Sequence, residues 1–211
     1  MEANGLPSRT SILTAAARAF GSREPDVSVR NPDWLAERLI GPAELALIAE
    51  HPISKALERD FQDATNDPDV FGFAWLMLVR TRFIDERLEH AIRNGATQVV
   101  IMGAGFDTRA HRFAELLQGT PVIEIDYGAT QLYKKQRVEA ALGRRARQRG
   151  LCIDRLRARK PGRSIASRRF PVRTQNLLHL RGRQHVRPRR GYEGNPARDR
   201  CGIRSGQCAS P

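Results

Sequence analysis

Residues 99–110 read V-V-I-M-G-A-G-F-D-T-R-A, and Asp126 stands 23 residues after Gly103. Glycines in such a pair let the backbone turn sharply and approach a ligand where any Cβ would clash. A helix opening directly after the turn points its N–H groups at the same ligand. An acid at the tip of the next strand accepts hydrogen bonds from both hydroxyls of a ribose, and the usual spacing to it is about 20 residues. Gly103, Gly105 and Asp126 are therefore candidate binding residues for a nucleoside cofactor. A glycine turn in an α/β protein with some other ligand is the alternative, and the glycine pair alone does not separate the two.

Two cofactors compete for this geometry. A dinucleotide carries a pyrophosphate and usually requires a third glycine, as in GxGxxG. Here Thr108 holds the third glycine position, and Asp107 places negative charge where the phosphate would lie. S-adenosylmethionine has no phosphate, so the residues favour it over a dinucleotide.

The elements that must position these residues change period at residue 98. Before it, residues 7–22, 32–50, 54–63 and 71–93 are helical in pattern, with breaks at Gly41-Pro42 and His51-Pro52. Ser8 or Thr10 is a candidate cap for the first helix, and Gly21 its stop. In the long helix, Trp75, Leu78, Val79, Phe83, Leu88 and Ile92 are the apolar positions expected to face the core. Gln98–Met102 is a short apolar run rich in β-branched residues, which suits a strand buried on both faces of a parallel sheet. Asp107 or Thr108 can cap a helix reaching to about Gln118, Val122–Ile125 is a second strand ending at Asp126, and a helix follows over about 129–142. Strand, glycine turn, helix, strand, acid, helix is the opening βαβ of a doubly wound α/β fold.

GAGFDTRAHR at 103–112, followed by PVIEIDYGATQLYKKQRV at 121–138, resembles the leucine carboxyl methyltransferase-like family, in particular its actinobacterial and mycobacterial branch. SRTSILTAAARAF at 8–20, LVRTRFIDERL at 78–88 and the lead-in GATQVVIMGAG at 95–105 agree with it. The resemblance covers about residues 8–143. It implies a Rossmann-like class I fold using S-adenosyl-L-methionine, with methyl transfer to an oxygen or carboxylate of an unidentified small-molecule acceptor. It implies that Arg80 pairs with the methionyl carboxylate, that Gly103 and Gly105 let the loop pass under the cofactor, and that Asp126 holds the ribose. Without the resemblance, Arg80 reads as an exposed helix arginine. Arg82 reads as surface, Glu124 as a strand residue with a structural hydrogen bond, and His111 receives no role. No catalytic residue and no metal site are assigned.

From residue 144 the chain changes character. Its 211 residues carry 36 Lys+Arg and 23 Asp+Glu, net +13. Residues 141–211 hold 20 of those basic residues, 19 of them Arg, against 3 acidic ones, which leaves 1–140 mildly acidic at −4. Cys152, Cys201 and Cys208 all fall in the tail and offer neither zinc spacing nor a disulfide framework. The start lacks a hydrophobic signal core and no apolar run is long enough to span a bilayer, so a cytoplasmic location is expected. The organisation read from this is a helical N-terminal segment, 1–70, then the first half of the cofactor-binding domain, 71–143, and an Arg-rich tail, 144–211. The tail reads as disordered at face value, with Leu177–Leu180 its one compact apolar cluster.

The resemblance implies a further strand ending in an acidic pair and then an EGxxxY motif, and neither occurs in this frame. Read one base later, permitted codons for 175–194 give KTFFIxEGVNMYVPEEGMK, which contains EGxxxY. The same shift over 148–162 gives NVVYVSTDFEHESL, a strand ending in an acid. A change of reading frame near codons 143–148 is the expectation. With only two strands read, weak or absent cofactor binding is expected of the chain itself. Two other classes stay in view: a dinucleotide-dependent oxidoreductase, and a nucleic-acid-binding protein acting through its basic tail. Resequencing the gene tests the frame directly. An inserted or deleted base near codon 145 is the expected result, and an uninterrupted 211-codon frame with no family-like continuation downstream sinks it.

Overall fold

The computed structural model describes residues 6–143 and the backbone of two further strands, 151–155 and 177–181. The N-terminal helix α1 (Arg9–Gly21) is followed by four short helices, α2 (Trp34–Leu39), α3 (Pro42–Ala46), α4 (Pro52–Ala56) and α5 (Phe61–Thr65). The long helix α6 (Pro68–Arg93) leads into β1 (Gln98–Met102), α7 (Arg109–Arg112), β2 (Val122–Asp126) and α8 (Gly128–Leu142). The strands β3 (Leu151–Arg155) and β4 (Leu177–Arg181) complete a parallel sheet in the order β3-β2-β1-β4.

Local chemistry explains the helix boundaries. Pro42, Pro52 and Pro68 each sit in a first turn, where their missing N–H costs nothing. Asp33, Asp60 and Asp67 cap α2, α5 and α6 with carboxylates that accept from backbone N–H groups. Glu44 does the same for α3 by reaching back to the Gly41 amide at 2.8 Å. These stops divide the broad helical stretches of 32–50 and 54–63 into separate pieces. Ser8 precedes α1 but makes no side-chain cap, and Gly21 ends that helix as expected.

Three expectations need correction. The sheet has four strands, not two, and both additions fall in the segment read as a disordered tail. One of them contains the Leu177–Leu180 cluster. Each of β1 and β2 otherwise presents an edge of unpaired N–H and C=O groups, which a short apolar segment can satisfy by adding alongside. The rest of 144–211 lies outside the described residues. The helix after the glycine turn is a single turn, 109–112, and not a helix to Gln118. Thr108 does not cap it, because its hydroxyl is committed to Asp33 at 2.6 Å. On α6 the face turned inward is Val70, Ala74, Met77, Leu78, Thr81, Asp85 and Leu88, while Trp75, Val79 and Phe83 are about half exposed. Asp85 wins an inward place because the buried Arg109 and Arg112 need its carboxylate.

Two apolar clusters form the core. In the first, α1, α2, α4 and α6 pack around Ile12, Phe20, Leu35, Ile53 and Met77. In the second, Leu88 meets Val99, Ile101, Ala110, Leu117 and Val122 at the sheet. Between them lies a network of three arginines and three aspartates. Arg18 donates to Asp33 at 2.7 Å, and Arg112 lies 3.3 Å from the same carboxylate. Arg112 also donates to both oxygens of Asp85, at 3.0 and 2.9 Å. Arg109 donates to Asp85 and to Asp107, each at 2.6 Å. The carboxyl of Asp85 is pushed up by burial, against the pull of Arg109 and Arg112.

Removing one partner of a buried pair strands the other charge away from water, at a cost of about 3–5 kcal/mol. Asp33→Ala strands Arg18, whose one carboxylate partner it is, leaves Arg112 with Asp85 alone, and also removes the α2 cap. Urea denaturation should show a loss of that size. Arg9 and Glu50 pair on the surface, with side chains 60% and 66% exposed, so Arg9→Ala should cost under about 1 kcal/mol. Equal losses for the two variants would contradict this account of the core.

Candidate functional site

In the sheet, the chain runs outward from β1 through β2 to β3 and then returns to the other side of β1 with β4. Open α/β sheets bind ligands outside the carboxyl ends of the strands, where the strand order reverses in this way. An open cleft lies against the glycine turn that leaves β1. Its walls are Ser11, Thr14 and Arg18 of α1, Met77, Arg80, Thr81 and Ile84 of α6, and the turn from Gly103 to Asp107 with Arg109.

The turn is held from below. The amides of Gly103 and Ala104 both donate to the Ile125 carbonyl at the end of β2, at 2.8 and 3.1 Å. Gly103 and Gly105 have φ of 63° and 48°, in the left-handed region that favours glycine. At Gly105 space is limiting as well. An added Cβ would stand 2.8 Å from the Ser11 Cβ, so the N-terminal helix packs directly on this glycine. Phe106 lines the cleft and also belongs to the helical core, and its carbonyl accepts from Arg18 at 2.8 Å.

The residues expected to bind a cofactor are brought to one place, with one difference. Arg80, Gly103 and Gly105 line the cleft. Arg80 is half-buried, and burial together with the nearby Arg109 and Arg18 charges pulls its guanidinium below its ordinary value, while Asp107 opposes this. Asp126 stands at the tip of β2 but is only 2% exposed and is not among the lining residues. Its carboxylate accepts from the Gly105 and Tyr127 amides. In this arrangement Asp126 fixes the floor of the turn.

Sequence reading assigned no role to the Asp107–Arg109 pair. Arg109 is buried and reaches Asp85 and the Thr81 carbonyl as well as Asp107. Burial opposes the charge on Asp107, but Arg109, Lys134 and Arg18 outweigh it and hold the carboxyl far below the usual range. Asp107 is an ionised group in the cleft wall at all ordinary pH. A run of D-T-R after a glycine turn, with an Asp five positions past Arg80, was the only available signal, and it does not fix who pairs with whom.

Glu124 has the structural role that was the favoured reading. It is fully buried against Lys134 at 2.6 Å, with burial pushing its carboxyl up. His111 lies outside the cleft lining. Burial and then the Lys134 charge lower it to about 4, so it stays neutral around pH 7. Arg82 donates to the Val27 and Arg30 carbonyls, at 3.2 and 3.0 Å, and takes no part in the cleft. Among the described residues, no group of three His, Cys, Asp or Glu side chains could hold a metal ion, and no helix is long and apolar enough to cross a membrane.

The chain is similar to a Mycobacteroides abscessus protein provisionally named an S-adenosyl-L-methionine-dependent methyltransferase, at 36% identity over 135 residues, which is 62% of this chain and 41% of that protein. A Bacillus subtilis protein of the same provisional name is 32% identical over 148 residues, 64% of this chain and 47% of its own length. One from Streptomyces coelicolor is 35% identical over 125 residues, 59% of this chain and 40% of its own. The chain therefore spans less than half the length of these relatives. The sequence model of the family described as leucine carboxyl methyltransferase matches residues 11–176, past Gly143, where the motif resemblance ended. That match takes in the N-terminal helices, the glycine turn and β1 to β3, and the chain belongs to the leucine carboxyl methyltransferase family.

Proposed function

We propose that this chain binds S-adenosyl-L-methionine in the cleft between α1, α6 and the β1–α7 turn, as the cofactor-holding part of a methyltransferase. The observation that carries the proposal is the convergence of Arg80 with the Gly103–Gly105 turn on one cleft at the reversal of strand order. Arg80 offers a half-buried guanidinium to a carboxylate, which such a group can meet with two parallel hydrogen bonds. The turn offers a close backbone approach. Asp126, beneath Gly105, is placed to receive ribose hydroxyls if its carboxylate exchanges the Gly105 amide for the ligand.

When bound, the cofactor supplies a sulfonium-activated methyl group. The chain supplies alignment and exclusion of water, which is most of what an in-line transfer requires. Met77 and Ile84 give the cleft an apolar side next to the charged one. No protein nucleophile is needed. The acceptor belongs to the oxygen and carboxylate class, and its contacts come partly from segments that the longer relatives have and the described residues lack.

A dinucleotide fits the same cleft poorly. The third glycine position is Thr108, 1% exposed and bonded to Asp33, and Asp107 presents a fixed negative charge where a pyrophosphate would approach. The reading of a nucleic-acid-binding tail falls outside the described residues. The frame change near codons 143–148 rests on the shifted-frame motifs and on the Arg-rich, Lys-poor composition of the tail.

Calorimetric titration tests the cofactor assignment. S-adenosyl-L-methionine should bind with heat, NADH should not, and Arg80→Ala should weaken binding by about tenfold or more, equivalent to about 1.4 kcal/mol. Binding of NADH without S-adenosyl-L-methionine would remove the proposal.

A further inference from the structure

The cleft contains a fixed anion that the cofactor reading has not used. Asp107 lies in its wall with a side chain 10% exposed. Its Oδ1 accepts from the Arg109 amide at 2.9 Å and its Oδ2 from the Arg109 guanidinium at 2.6 Å. A carboxylate has about four lone-pair sites, so two bonds leave capacity for a ligand donor. The donor that holds Asp107 is itself held, because Arg109 also binds Asp85 at 2.6 Å and the Thr81 carbonyl at 3.3 Å. Asp107 therefore cannot swing away, and the positive charge of Arg109 is shared between two carboxylates.

Arg80, from α6, lines the same cleft, near enough that the Asp107 charge acts on its guanidinium. One wall offers a cation to an anion, and the other offers an anion to a cation. A ligand that satisfies both carries an ammonium and a carboxylate a few ångströms apart. An α-amino acid is that chemistry.

We propose that Asp107 receives the α-ammonium of the cofactor's methionyl end, forming with Arg80 a zwitterion clamp, and that Asp85 is a positioning residue acting on Asp107 through Arg109. This rests on the cofactor assignment above and deepens it. It also gives the D-T-R segment after the glycines a purpose. Where a dinucleotide site keeps glycine to approach phosphate, this turn carries an anion suited to an ammonium and unsuited to a phosphate.

The test compares three ligands by calorimetry on the full chain. S-adenosylhomocysteine carries both charges. Its desamino analogue keeps the carboxylate and lacks only the ammonium, and 5′-methylthioadenosine lacks both. Wild-type protein should bind S-adenosylhomocysteine about tenfold or more tightly than the desamino analogue. Asp107→Asn should bind those two ligands equally and leave 5′-methylthioadenosine unchanged. Asp107→Glu, which keeps the charge, should restore part of the discrimination. Asp85→Asn should reduce the discrimination without abolishing it, which a general loss of stability would not do selectively.

Equal weakening of all three ligands in Asp107→Asn would make the residue structural and overturn the clamp. So would equal wild-type affinity for S-adenosylhomocysteine and the desamino analogue, a comparison that needs no variant to fold. Wild-type protein that binds none of the three overturns the cofactor assignment itself, a different outcome from binding without discrimination.

Discussion

Six buried charges, three arginines alternating with three aspartates, decide where everything else in this molecule sits. Arg18 comes from α1, Asp33 from the cap of α2, Asp85 from α6, and Asp107, Arg109 and Arg112 from the turn and α7. Apolar contacts would hold these segments together but would tolerate sliding and rotation. Guanidinium–carboxylate hydrogen bonds do not, since the planar fork fixes both distance and orientation. Burial makes the network an all-or-none arrangement, because any missing member leaves its partner charged and desolvated. The glycine turn is thus pinned between the two helices that form the other cleft walls.

Helix α1 carries a second constraint of the same kind. Ser11 sits so close to Gly105 that no side chain fits between them, and the Ser8 amide donates to the Thr130 hydroxyl at the start of α8. A helix that precedes the sheet by some eighty residues is therefore built into the binding turn. Glycine at 105 serves packing and backbone conformation together, and close approach to a ligand is a further use of the same absent Cβ. Loss of α1 would open one wall of the cleft and release the turn.

The sheet does less here than its central place suggests. Its topology supplies the location, at the reversal of strand order between β1 and β4, and its buried residues Val99, Ile101 and Val122 give α6 and α7 something to rest on. Chemistry comes from the segments around it. A charged cleft beside a parallel sheet suits ligands of many kinds, and the signs and positions of Arg80 and Asp107 narrow the choice. The proposed ligand, an adenosylated amino acid, carries both of the opposite charges. The relatives are more than twice as long as the matched part of this chain.

Sequence alone determined the local punctuation and the binding turn. Glycines at 103 and 105, an apolar run before them and an acid 23 residues on can be read without coordinates, because backbone freedom, strand periodicity and loop length are short-range properties. Tertiary structure decided the rest, and in each case a long-range partner was the reason. The inward face of α6 includes Asp85 and leaves Trp75 half exposed, since Arg109, 24 residues past Asp85, has to be neutralised. The Thr108 side chain caps nothing, since its hydroxyl donates to Asp33, 75 residues away, and accepts from Arg112. Two strands formed where composition argued for none, since β1 and β2 offered edges for them. Asp107 read from sequence as an obstacle to phosphate, and in the structure Arg109 fixes it in the wall of the cleft that Arg80 also lines.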